Sequence, residues 1–168
     1  MGRLAAVLKA TGKYEEANSL YTVCLELTTK VLGREHPDSL YNLHKSAVLL
    51  KSQGQFEEAE KKYRECLELR KKILGEEHPD TLRTLGRLAV LLKDEGRFEE
   101  ANTMARSCLE LRRKVLGAEH PDTLAGLNNV GNLLEDQGLF DEAEPMYREC
   151  LKLRTKVLGN QLHSQANI

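Results

Sequence analysis

Between Pro79 and Glu95, Leu82, Leu85, Leu88, Ala89 and Leu92 fall at i, i+3, i+6, i+7 and i+10, one apolar stripe of an amphipathic helix. A second stripe follows with Phe98, Ala101, Cys108, Leu109, Leu111, Val115 and Leu116. Gly96 closes the first and Gly117 the second, as Gly often does just past a helix end. Carried along the chain, the two patterns alternate. They predict helices near 3–11, 14–32, 37–53, 56–74, 79–95, 98–116, 121–137 and 140–158. Connections this short make neighbouring helices antiparallel.

The alternation is a true repeat. Leu74-Gly75-Glu76-Glu77-His78-Pro79-Asp80-Thr81-Leu82 returns 42 residues later as Leu116 to Leu124, and stands 42 residues earlier as Leu32 to Leu40. A fixed period of this size marks stacked supersecondary units. The expected organisation is one array over 1–168: a partial repeat over 1–33, repeats over 34–75, 76–117 and 118–159, and a degenerate tail over 160–168. Met1 aligns with Leu43, and His-Pro-Asp decays to Leu162-His163-Ser164. The expectation is a fragment of a longer array whose uncovered ends allow self-association.

Local chemistry agrees. Pro79 suits the first helical turn, where a missing N–H costs nothing, and Asp80 adds the negative charge that a helix start favours. His36, His78 and His120 each precede such a proline, where the ring and the Asp can satisfy free backbone N–H groups. They recur one repeat apart, so no two converge on one ion, and no metal is expected. Glu15-Glu16, Glu57-Glu58 and Glu99-Glu100 are helix-start charges by the same logic. No Gly-rich phosphate loop or nucleophile elbow occurs, so no catalytic residue, cofactor or enzymatic activity is expected.

Cys24, Cys66, Cys108 and Cys150 also lie 42 apart. Equivalent positions in stacked repeats stand roughly 10 Å apart, beyond the ~7 Å Cα reach of a disulfide. Four reduced, buried core residues are expected. The chain is 40% apolar and 30% charged, with no Trp, a helix-forming mix poor in strand formers. A formal net charge of −1 gives no overall attraction to nucleic acid or an anionic membrane. No apolar run reaches the length of a membrane span and the first 30 residues lack a signal-peptide layout, which predicts a cytoplasmic protein.

The helix pairs resemble tetratricopeptide repeats. The resemblance rests on the small residue Ala47, Ala89 or Gly131 seven before the turn glycine and on the aromatic Tyr14, Phe56, Phe98 or Phe140 two after it. Ala17, Ala59, Ala101 or Ala143, five after the glycine, completes it. That family's period is about 34 residues. The longer unit and its Leu-Gly-x-Glu-His-Pro-Asp-Thr-Leu linker look like the 42-residue subclass of kinesin light chains. The resemblance implies an all-α α-solenoid, a right-handed superhelix of antiparallel helix pairs with about 3.5 to 4 repeats. Two departures stand out. Ala105 replaces the ring of Tyr21, Tyr63 and Tyr147, leaving either a void that Met104 fills or a small pocket. Pro145 falls just beyond the first turn of its helix, where a local bend accommodates it.

In that family the inner face of the first helices binds peptide segments. The matching positions are Tyr41, His44, Lys45, Val48, Lys51 and Ser52, then Arg83, Arg87, Val90, Lys93 and Asp94, then Asn128, Asn129, Asn132, Glu135 and Asp136. Lys45, Lys51, Arg83, Arg87 and Lys93 outnumber Asp94 in the middle repeats, which makes the groove locally basic. Arg83 and Arg87, one turn apart, can converge on one carboxylate or phosphate. Asn128 and Asn129 match an Asn pair of kinesin light chain repeats, whose amides can hold a peptide backbone. A strict carboxylate-tail clamp is not expected, because Gly2, Ala6 and Lys45 stand where its first half would be. The expectation is a non-catalytic scaffold binding acidic peptide segments. The alternative is a spacer or self-assembling array.

Overall fold

The computed structural model describes residues 4, 7, 8 and 10–166, the stretch 160–166 by its backbone alone. Seven helices are bounded among the described residues, with no strand. They are α1 (Tyr14–Leu32), α2 (Pro37–Ser52), α3 (Phe56–Leu74), α4 (Pro79–Asp94), α5 (Phe98–Leu116), α6 (Pro121–Asp136) and α7 (Phe140–Ala166). This is an all-α repeat array. Its residues group into two compact units, 1–91 and 92–168. Of the expected helix over 3–11, residues 3, 5, 6 and 9 lie outside the described residues, as does Gly2; Leu4, Val7, Leu8 and Ala10 are helical.

The repeated linker motif sets the joints. At Gly75 the backbone takes φ +89°, a left-handed conformation that a side chain would strain. The Gly33 and Gly117 carbonyls accept from the Ser39 hydroxyl at 2.7 Å and the Thr123 hydroxyl at 2.8 Å. His36, His78 and His120 cap the next helix: the Asp38, Asp80 and Asp122 N–H groups donate to their Nδ1 atoms at 3.2, 3.1 and 3.1 Å. The proline sits at the helix start and the following Leu40, Leu82 or Leu124 is buried. One nine-residue motif therefore stops one helix, starts the next and plants its first core side chain.

In the first unit the small residues Ala17, Ala47 and Ala59 are wholly buried, and Leu8 and Leu20 pack against Ala17, Tyr21 and Leu49. In the second unit Ala101, Leu127, Val130, Leu133 and Ala143 form the interior. All four cysteines are buried, and two show why a small polar-capable side chain suits the site: Cys66 Sγ donates to the Leu40 carbonyl at 3.5 Å and Cys150 Sγ to the Leu124 carbonyl at 3.4 Å. Ala105 is buried with Met104 half-buried beside it.

One boundary differs from the sequence expectation. The last helix does not end at 158 but continues through Gly159 to Ala166. Gly33, Gly75 and Gly117 take a positive φ that ends the helix, and Gly159 does not. Gly54, Gly96 and Gly138 end their helices in the same conformation with no proline in the next four residues, so the backbone turn, not a following proline, separates them from Gly159. Pro145 lies inside α7, in its second turn, and the helix runs on past it.

Candidate functional site

In the first unit, α2 and α4 carry most of the positions expected to meet a peptide. Tyr41 is exposed and the Lys45 ammonium lies 5.3 Å from its ring centroid, within cation–π range. Val48, Lys51 and Val90 are half-buried. Arg83 and Arg87 are both exposed on α4. Arg87 has no ion pair among the described residues, whereas Arg83 is tied to Asp80, three residues back at the helix start. The pair expected to act together is therefore split: one guanidinium is engaged at its own helix N-terminus.

His44 corrects the expectation outright. Its side chain is buried and not on the surface; it meets the Tyr63 ring edge-on at 5.7 Å between centroids, and its Nδ1 lies 3.3 Å from Thr84 Oγ1. Thr84 accepts a hydrogen bond from Arg70 Nη1 at 2.7 Å, and Arg70 also donates to the Asp80 carbonyl at 2.7 Å. Burial, followed by the charges of Arg70, Arg83, Lys45 and Arg87, presses the imidazole pKa down to about 3.

The second unit has a different character. Lys93 binds Asp136 at 2.5 Å and reaches Asp94 at 3.7 Å, so its charge is already compensated. Asn128 and Asn129 are half-buried. Asn132 is exposed and engaged: the Tyr147 hydroxyl donates to Glu135 Oε2 at 2.6 Å and lies 2.7 Å from Asn132 Oδ1. On α6 the amides Asn128, Asn129 and Asn132 are followed toward its C-terminus by the exposed carboxylates Glu135 and Asp136.

Arg70 and Arg112 are the residues that sequence reasoning missed. Their position near a helix end suggests only a favourable helix dipole, yet both are buried. Each donates to a carbonyl in the first turn of the following helix, Arg70 to Asp80 and Arg112 to Asp122 at 2.9 Å. Periodicity does not single them out: Arg70 and Arg112 lie 42 apart, but so do the exposed Lys72 and Lys114, and Thr28 stands at the matching place in the first repeat. No group of three or more metal-ligating side chains gathers among the described residues, and no described helix is long and apolar enough to cross a membrane.

Comparisons with known proteins follow this architecture. The family model described as tetratricopeptide repeat matches residues 1–72, 39–114 and 88–156. Among curated proteins, none matches the sequence. Among solved structures, BtubC (BKLC) from P. vanneervenii is similar, with a TM-score of 0.84 at 22% identity over 94% of this chain. The chain spans 63% of the length of BtubC. A Podosopora anserina putative kinesin light chain with nearly identical TPR-like repeats gives a TM-score of 0.80 at 26% identity, covering 94% of this chain and 74% of that one. The apo form of RapI gives 0.80 at 12% identity, covering 98% and 58%. With the family model matched across both units and kinesin light chain-like repeat proteins among its structural neighbours, the chain belongs to the tetratricopeptide repeat family.

Proposed function

We propose that this chain is a non-catalytic, cytoplasmic scaffold whose α2 and α4 surface in the first unit takes acidic segments of a protein partner. The observation that carries this reading is the cationic grouping of Lys45, Lys51, Arg83 and Arg87 on two helices of one unit. Among them Arg87 is exposed and has no ion pair among the described residues. An exposed guanidinium without a counter-charge offers a planar pair of donors that matches a carboxylate. The exposed Tyr41 and half-buried Val48 and Val90 add apolar contact area beside the charges. Such association is electrostatic and weakens with salt. Peptide display on the immobilised protein at low and high salt tests it. Enrichment of Asp- and Glu-rich sequences at low salt supports the reading; a charge-neutral pool at both salts overturns it.

A second reading, self-association, draws on α7. Leu151 is 67% exposed, whereas its counterparts Leu67 and Leu109 are buried. Leu158 is exposed on the same helix. Sedimentation velocity over a concentration series separates the two readings: oligomers that grow with concentration favour assembly, and a constant monomer favours the peptide scaffold.

A further inference from the structure

A cavity of about 400 Å³ in the second unit opens between the end of α6 and the first turns of α7. Glu135, Phe140, Asp141, Glu144, Tyr147 and Arg148 line it. The Phe140 ring is 64% exposed, where Phe56 and Phe98 at the same place in the repeat are half-buried. The Tyr147 ring is held by its hydroxyl on Asn132 and Glu135. Arg148 is the lining cation, and Glu144 binds it at 2.5 Å, so Glu135 and Asp141 leave the lining net negative. Two aromatic rings, one standing in solvent, thus share a concave site whose carboxylates outnumber its one arginine.

We propose that this cavity is a receptor for a lysine or arginine side chain presented by a partner polypeptide. The negative faces of the Phe140 and Tyr147 rings attract a cation, and Asp141 and Glu135 supply the counter-charge. The long apolar stem of a basic side chain covers the exposed Phe140 ring while its head stays among the carboxylates. The volume lies toward the small end of ligand pockets, which run about 300–1,000 Å³, and suits one long side chain better than a folded ligand. The sign of this site is opposite to that of the α2 and α4 surface, so it stands independently of the acidic-peptide reading.

The test is titration of the intact ¹⁵N-labelled protein with hexalysine at low salt, followed by two-dimensional NMR. Shifts concentrated on Phe140, Asp141, Glu144 and Tyr147 are expected, with saturation in the micromolar-to-millimolar range. Phe140→Ala and Asp141→Asn are each expected to weaken binding roughly threefold to tenfold, the scale of a lost cation–π or ion-pair contact. Arg83→Glu/Arg87→Glu, in the other unit, should leave these shifts in place. The proposal is overturned by shifts that map elsewhere, by no shifts at millimolar hexalysine, or by an affinity unchanged from the parent in both pocket variants. Because Asp141 is exposed and contributes nothing to the core, its Asn variant keeps the test valid if Phe140→Ala fails to fold.

Discussion

The ring of Tyr147 occupies the space that a side chain at Gly131 would need: a Cβ there would lie 2.7 Å from Tyr147 Cε1 and 2.9 Å from Cζ. Ala47 and Ala89 hold the corresponding place in the other repeats. Ala89 is followed, sixteen residues on, by Ala105, so no ring competes for that space. Ala47 is followed by Tyr63, whose hydroxyl is buried without a hydrogen-bond partner, unlike that of Tyr147. Tyr147 thus uses the missing methyl of Gly131 to reach Asn132 and Glu135.

Gly131→Ala is therefore expected to displace the Tyr147 ring and loosen those hydrogen bonds, a loss of about 1–3 kcal/mol from overpacking that exceeds the ~1 kcal/mol gained by Ala over Gly in a helix. In a Tyr147→Ala background the clash is gone, and the same change should stabilise by up to ~1 kcal/mol. Thermal or urea unfolding of the four members of this cycle checks the reversal of sign. A destabilising Gly131→Ala in both backgrounds would mean that the ring is not what the glycine serves.

How much of this is legible in the chain follows from where the information sits. Helix starts and stops are readable because their causes are local: Gly33, Gly75 and Gly117 carry positive φ, and His-Pro-Asp caps the next helix within three residues. Cysteine burial is readable from the period. The burial of His44 and Arg70 is not, because each is satisfied by a residue on another helix, Thr84 in both cases. The engagement of Arg83 by Asp80 is within reach, since the two lie one turn apart on the same helix, but a helix-start acid reads first as a partner of the dipole alone. The continuation of α7 shows the converse error: a glycine acts as a stop only where the backbone turns to positive φ, as at Gly117 and not at Gly159.

Arg70 is buried without a carboxylate partner in hydrogen-bond contact; its acceptors are a carbonyl and a hydroxyl, and its Nε has none. Desolvation dominates its environment and lowers its pKa. Arg70→Ala removes both hydrogen bonds and leaves a cavity, an expected loss of about 2–4 kcal/mol. Arg70→Met keeps most of the volume and removes the buried charge, so its cost should stay within about 1 kcal/mol. Denaturant unfolding of the two variants decides it. Equal losses would show that the hydrogen bonds to Asp80 and Thr84, and not filled space, set the contribution of this residue.

His44 gives the first unit a pH dependence with a definite sign. Its pKa in the fold is about 3, below the ordinary 6.5, so between those values the unfolded chain binds a proton that the folded chain does not. Stability is complete above pH ~6.5 and falls as the pH drops toward ~3, by an amount on the order of a few kcal/mol. His44→Gln cannot titrate and can still meet Thr84. Urea unfolding at pH 7, 5 and 4 should show a shallower acid loss in the variant than in the parent, since the exposed carboxylates contribute equally to both. Superimposable pH profiles would exclude a neutral buried imidazole.

The two arginines of α4 make unequal predictions for peptide binding. Arg83 is already engaged by Asp80 and must give up that pair to bind an acidic ligand, while Arg87 has no ion pair among the described residues to give up. Arg87→Glu should therefore weaken an acidic peptide more than Arg83→Glu does, by roughly tenfold, the scale of one charge-assisted hydrogen bond. The double Arg83→Glu/Arg87→Glu variant should lose binding altogether with unchanged helicity, because both side chains are exposed. Raising the salt from ~0.05 to ~0.5 M should erase most of the difference between parent and Arg87→Glu, as screening shortens the reach of exposed charges. Fluorescence anisotropy with an acidic peptide recovered by display measures all of this in one titration series. If the double variant binds as tightly as the parent, the α2 and α4 surface is not where the peptide sits.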